Sequence, residues 1–385
     1  MAARFSALAA ETSLRDARHA AADAARCASS HAQINGSSTA VPIPLQPIHM
    51  VNPAHENVVC EGAVCPSIFI PLSRIWNELH KYAPERMSHY VQNVGAKDGI
   101  SGPDPLYTLF MEHPSMSGTA FEPNEGSFAK LTANIAKFTH YKPVNKGISP
   151  SSALEILKYD VLRHGKSLSM DIFKLDIDAC ECHILEILFA SSSQRWLPPK
   201  VIQVELNHIL APPISYRDMC SGDTWGRSTF DGKRYGNLDV WGCSMQAAAD
   251  LLGRNGYRLL QYDWPDGTFL HEEYAGAFPC FHLSASAADF MRSYWTGFVH
   301  ARSTYKRFKK HQTNKGFNEH MVEFAESAAA NPVPSIRHII TRYNTTWLKS
   351  PLWVEIGVAG TAARVNITRA RTGDPLNIEW SGTAE

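Results

Sequence analysis

Ile172-Phe173-Lys174-Leu175-Asp176-Ile177-Asp178 is an apolar run that ends in carboxylates, and three other segments share its form. These are Tyr90-Val91-Gln92-Asn93-Val94-Gly95-Ala96-Lys97-Asp98-Gly99, Thr119-Ala120-Phe121-Glu122-Pro123-Asn124 and Lys200-Val201-Ile202-Gln203-Val204-Glu205-Leu206-Asn207. Short apolar runs without clean alternation suit strands buried on both faces, and a Gly or acid at the end suits strands that open onto a ligand crevice. Gly95 and Gly99 allow a tight turn and a close ligand approach, with Asp104 starting a helix soon after. Glu122 then ends the next strand, where a carboxylate can accept hydrogen bonds from ribose hydroxyls.

Between and after these segments the pattern is helical. Phe128, Leu131, Ile135 and Phe138 recur at three- and four-residue spacing, as do Ile184, Leu185 and Leu188. A further helix is expected over Trp241 to Arg254, stopped by Asn255-Gly256. Tyr257–Tyr262 and Thr268–His271 flank Pro265-Asp266-Gly267 and read as a hairpin. Alternating strands and helices that finish in a hairpin predict an α/β fold: a Rossmann-like three-layer sandwich, its mainly parallel sheet closed by an antiparallel terminal hairpin.

At this point the motifs resemble a known family. Asn93-Val94-Gly95-Ala96-Lys97-Asp98-Gly99, Phe121-Glu122-Pro123-Asn124, Lys174-Leu175-Asp176-Ile177-Asp178-Ala179-Cys180-Glu181 and Val204-Glu205 look like the FkbM-type methyltransferases. The resemblance covers roughly Met87 to His282. It implies a class I methyltransferase fold, S-adenosylmethionine as cofactor, and O-methylation of a sugar or a glycosylated metabolite. It also implies that Gly95, Ala96 and Gly99 line the methionine part of the cofactor and Glu122 holds the ribose, with Asn93, Asp98 and Asn124 completing the binding set. Asn93 stands where the family carries an acid, and Ala179 where it carries a glycine.

Methyl transfer to a hydroxyl needs aligned reactants and a group to take the hydroxyl proton. Asp176, Glu205 and His208 fall at the carboxyl ends of the fourth and fifth strands and are the catalytic candidates, with Asp176 the first choice and His208 next. Asp176 could instead cap the following helix, and His208 could be structural. Asp178 and Glu181 near a helix start could equally serve its dipole. Asp176, Asp178, Glu181 and Glu205 also offer oxygens for a divalent metal ion. Two other function classes stay open: a non-catalytic scaffold or glycan-binding module on the same fold, and a nicotinamide-dependent oxidoreductase. The latter lacks its glycine spacing here.

The chain has 385 residues, 44% of them hydrophobic, and a formal net charge of zero. That balance gives no basic field for nucleic acid, and no apolar stretch reaches the length of a membrane span. The expected partner is a small-molecule or glycan acceptor; oligomeric state and compartment are left open, with a cytoplasmic and a secretory location both considered. Eight cysteines show no Cys-x-x-Cys pair, Cys180 and Cys182 read as small buried residues, and Cys60–Cys65 could close a short loop. Three parts are expected. Residues 1–66 form a Pro-, Ala- and Ser-rich, irregular or disordered lead-in, 67–287 the methyltransferase-like domain, and 288–385 a helical extension with a tail of open character. Met219 to Asn237 is a candidate lid, and the basic run Lys306 to Lys310 reads as a solvated helix face.

Overall fold

The structure is a computed structural model that describes residues 70–100, 104–163, 170–177, 180–190, 198–207, 210–219, 242–263 and 265–279, with shorter stretches between 281 and 381. The lead-in, the candidate lid beyond Met219, Asp178, Ala179, His208, Cys60, Cys65 and the basic run lie outside the described residues.

Helix α1 (Leu72–Tyr82) leads into strand β1 (Tyr90–Val94). Then come α2 (Pro105–Glu112), β2 (Ser117–Phe121), α3 (Glu125–Ile135), β3 (Tyr141–Val144), α4 (Pro150–Arg163), β4 (Ile172–Leu175), α5 (Glu181–Ala190) and β5 (Val201–Glu205). Beyond the crossovers follow β6 (Ile214–Met219), α6 (Met245–Gly253), β7 (Tyr257–Asp263) and β8 (Asp266–His271). Local chemistry sets the helix starts. Asp104 accepts from the amides of Leu106 at 2.8 Å and Tyr107 at 3.4 Å with Pro105 at the first helical position, and Asn124 accepts from Ser127 at 2.9 Å. Ser244 caps α6 through Ala247, and its hydroxyl also donates to the Ile214 carbonyl at 2.8 Å, which ties the helix to β6.

The main sheet runs β3-β2-β1-β4-β5-β8-β7. The first five strands are parallel, and β8 turns antiparallel against β5, as the closing hairpin predicted. Successive side chains on a strand point to opposite faces. Val91, Ile172, Val201 and Leu270 therefore meet α1–α3 through Ile75, Leu79, Leu109, Phe110, Leu131 and Ile135. Tyr90, Phe173, Ile202 and Phe269 meet Leu157 of α4, Leu185 and Leu188 of α5 and Leu252 of α6. Each fully buried Leu or Ile contributes roughly 1.5–3 kcal/mol of transfer free energy.

The far end of the sheet is held by a buried ion pair. Asp171 accepts from Lys200 Nζ, Trp76 Nε1 and the amides of Ser88 and His89, each at 2.9 Å. A carboxylate with this many donors balances the desolvation that its burial costs.

The region after the hairpin differs from a purely helical extension. Phe290 and Tyr294 do pack into the core, and Tyr294 stacks on Tyr262 at 5.8 Å. Yet β9 (Trp353–Val358), β10 (Arg364–Thr368) and β11 (Asn377–Ser381) join β6 in a second, antiparallel sheet of order β11-β10-β9-β6. Arg217 on β6 reaches Glu355 on β9 at 2.8 Å and Glu186 on α5 at 3.0 Å, so this sheet is pinned to the main domain. Cys180 and Cys182, both buried, depart from their reading as plain thiols, since each is disulfide-bonded, and the partner of Cys182 lies among the described residues. Cys182 pairs with Cys243, joining the first turn of α5 to the residue before the α6 cap.

Candidate active site

The carboxyl ends of β1, β2, β4 and β5 converge on one edge of the sheet. Gly95 leaves β1 with φ +83°, and a β-carbon there would stand 1.6 Å from the main-chain oxygen of Asp176. Only glycine lets the β1 loop pass so close to β4. The Gly95 and Ala96 amides both donate to the Phe121 carbonyl at 3.0 Å, and Lys97 adopts φ +53°. Gly99, at φ +75°, packs against Leu131 and Ile135 of α3.

Glu122 ends β2 and is 7% exposed. One carboxylate oxygen accepts from the Lys97 amide at 2.8 Å and the other from the Asn124 amide at 2.8 Å. Each oxygen has a second lone-pair direction left for a ligand hydroxyl. Burial raises its pKa, and the two amides pull the other way. The loop of the first strand and the carboxylate of the second are thus one hydrogen-bonded unit, a cradle that suits a ribose. Asn124 itself is exposed and spends its side chain on the α3 cap. Asp98 caps its own loop through the Ile100 amide at 3.1 Å.

Asn93 is fully buried and donates to Asp104 at 3.2 Å and to Tyr141 at 3.1 Å. A carboxylate thus stands beside Asn93, supplied by Asp104 on the α2 cap. Burial raises the pKa of Asp104, against Lys174 and its amide partners.

On β4 the ammonium of Lys174 lies 2.7 Å from Asp176, with side chains 6% and 34% exposed respectively. Burial lowers the Lys174 pKa, and Asp176, Asp104 and Asp266 outweigh that and raise it. Asp266 opens β8 directly across from Glu205, the last residue of β5. Burial, then the charge of Asp176, push Asp266 up to about 7 against the pull of Lys174. Such a carboxyl is poised to exchange a proton near neutrality.

The structure therefore brings together Gly95, Ala96, Gly99, Glu122, Asp176 and Glu205. Glu181 turns inward instead, is fully buried and accepts from the Ile177 amide at 3.1 Å. Among the described residues no group of three or more His, Cys, Asp or Glu could hold a metal ion. Sequence reasoning missed Lys174 and Asp266. Asp266 read as a turn residue, although its place two residues before Thr268 on a strand puts both on one face.

No family model matches the chain, and no curated protein matches it. Solved structures with similarity include the pyocyanin biosynthetic protein PhzM, at 14% identity, 50% of this chain, 54% of that one and a TM-score of 0.28. The O-methyltransferase StiE is 10% identical over 63% of this chain and 70% of that one, with a TM-score of 0.26. The plantazolicin methyltransferase BpumL, solved with S-adenosylhomocysteine, is 11% identical over 35% of this chain and 46% of that one, with a TM-score of 0.22. The chain spans about half the length of PhzM. Strand order and register carry the fold independently of these overlaps: it is the Rossmann-like α/β sandwich shared by class I methyltransferases.

Proposed function

We propose that the chain is an S-adenosylmethionine-dependent methyltransferase of FkbM type that O-methylates a carbohydrate or glycosylated metabolite. The observation that carries this reading is Glu122, whose two oxygens anchor the Gly95–Gly99 loop and the α3 cap while keeping free lone pairs over the crevice. When bound, S-adenosylmethionine supplies an electrophilic methyl group.

The residues of the chain do the rest. Gly95, Ala96 and Gly99 shape the cradle for the methionine portion, and Glu122 takes the ribose hydroxyls. Asp176 presents a half-exposed carboxylate fixed by Lys174, and its second oxygen is the acceptor for the proton that the substrate hydroxyl gives up. Lys174 holds that side chain in one orientation, which preserves in-line geometry. The charge of Asp104 also favours the ammonium form of Lys174.

Calorimetry of the full chain with S-adenosylmethionine and S-adenosylhomocysteine tests this. Binding in the micromolar range, weakened at least tenfold by Glu122→Gln, is expected. Absence of binding at millimolar ligand overturns the reading.

A further inference from the structure

Asn-x-Ser/Thr triplets begin at Asn35, Asn344 and Asn366. The first two lie outside the described residues, whereas Asn366 stands on β10. Such a triplet accepts an N-linked glycan where the chain passes through a secretory compartment and the asparagine faces outward. The fold bears on both conditions.

Cysteine chemistry speaks to the compartment. Cys182 is bonded to Cys243, and Cys180 is disulfide-bonded as well. All three are buried, at 2% exposure or less. Disulfides form and persist in oxidising compartments and are rare where glutathione keeps thiols reduced. Bridges at both Cys180 and Cys182, flanking the start of α5, point to folding on the oxidising side of a membrane.

Strand register speaks to the direction. Successive residues of a strand face opposite ways. Val365 is fully buried on one side of β10, beside its equally buried partner Ile356. Asn366 therefore belongs to the other side, in register with Glu355 on β9 and Glu379 on β11. With Arg217 of β6, these residues make a polar row across the second sheet. The row opens outward. Arg217 and Glu355 are 20% and 21% exposed at the end near α5, Asn366 is half-buried, and Glu379 is exposed. Arg364, two residues before Asn366 on the same face, is exposed too. The Asn366 amide forms no side-chain hydrogen bond among the described residues. Acids on both sides offer acceptors to sugar hydroxyls, and the neighbouring positions carry no apolar contact that a sugar would displace.

We propose that Asn366 carries an N-linked oligosaccharide. In the transfer, the side-chain amide nitrogen attacks the anomeric carbon of an oligosaccharide held on a polyprenyl pyrophosphate. The new C–N bond replaces the C–O bond to the pyrophosphate, which leaves with that electron pair, and the amide gives up one proton. Thr368 is the hydroxyl residue that the triplet requires. The reaction takes place on the extended chain, so the folded state needs only to leave the glycan an outlet on the polar side of β10. The proposal is independent of the methyl-transfer reading.

The test uses the full chain from the cells that make it, with free thiols blocked at lysis. Peptide-N-glycosidase in heavy-oxygen water turns a glycosylated asparagine into an isotope-marked aspartate, which peptide mass mapping reads residue by residue. Asn366 is expected to be converted, and mapping without reductant to show Cys182 joined to Cys243. Asn366 recovered as unmodified asparagine overturns the proposal, whatever the state of the cysteines. Thr368→Ala should lose the glycan and Thr368→Ser should keep it, with the same disulfide in both as the mark of a folded chain. Conversion of Asn366 in Thr368→Ala to the wild-type extent would also overturn the proposal, since the label would then come from chemical deamidation.

Discussion

A β-carbon on Gly95 would stand 1.6 Å from the main-chain oxygen of Asp176, so β1 and β4 touch through backbone alone at the head of the crevice. The contact fixes where the glycine loop ends and where the Asp176 carboxylate begins. Gly95→Ala must push the two strands apart while also placing a side chain at φ +83°. The strained backbone by itself costs on the order of 1–3 kcal/mol. We expect a lower urea midpoint and a loss of S-adenosylhomocysteine affinity of at least tenfold. A Gly95→Ala protein with wild-type affinity would show that the loop does not shape the cofactor site.

Glu122 binds its two amides with different oxygens, so its variants should separate by geometry. Glu122→Gln keeps one acceptor oxygen and places an amide nitrogen against the other main-chain donor. Glu122→Ala leaves both the Lys97 and the Asn124 amide without their carboxylate. An unsatisfied buried donor costs about 1–3 kcal/mol. Stability should fall in the order wild type, Gln, Ala, as read from urea unfolding. Cofactor affinity should already be lost at Gln, because the ribose contact needs two acceptors. Equal stability of all three would place the carboxylate outside the loop's support.

Much of this edge was legible in the sequence because it depends on local signals. A strand that ends in Gly or an acid, the Asp104 and Asn124 caps, and the Leu131–Ile135 face all act over a few residues. The second sheet was not legible, since β6 pairs with β9 across a long stretch of chain and neither strand carries a turn signal toward the other. Lys174 was hidden for a different reason. Inside an apolar strand it reads as part of a motif, and its role follows from its pairing with Asp176 together with carboxylates contributed by the α2 cap and β8. The Cys182–Cys243 pairing likewise depends on the fold that brings α5 and the α6 cap together.

The pH dependence follows from the raised pKa of Asp266. The folded state binds this proton more tightly than the unfolded chain, so its stabilising contribution is complete below about pH 4. It is lost as pH rises through about 7. His113 and His271 act at the acid side, each lowered chiefly by burial. Their contribution is present above the ordinary histidine value of about 6.5 and is lost as pH falls through the lowered values. Asp266→Asn removes the first effect alone. Relative to the wild type, the variant should therefore gain stability between about pH 4 and about pH 7 in urea unfolding curves. A constant difference across that range would mean that Asp266 titrates alike in both states.

The Cys182–Cys243 disulfide closes a loop across 61 residues with both sulfurs in the core, at Cα–Cα 5.7 Å. Its ends sit at the start of α5, just after the β4 motif, and beside Ser244, which ties α6 to β6. Cross-linking a loop of this length removes unfolded-state entropy worth about 4 kcal/mol. Reduction should lower the urea midpoint of the wild type by at least a matching amount, since it also opens the disulfide at Cys180, and weaken S-adenosylhomocysteine binding, because α5 then loses its covalent hold on the α6 cap. The double variant Cys182→Ala with Cys243→Ala should show the lower midpoint from the outset and a smaller response to reductant than the wild type, since the disulfide at Cys180 remains. Superimposable curves for oxidised and reduced wild type, with thiol counting confirming the change of state, would show that packing alone holds the two helices together.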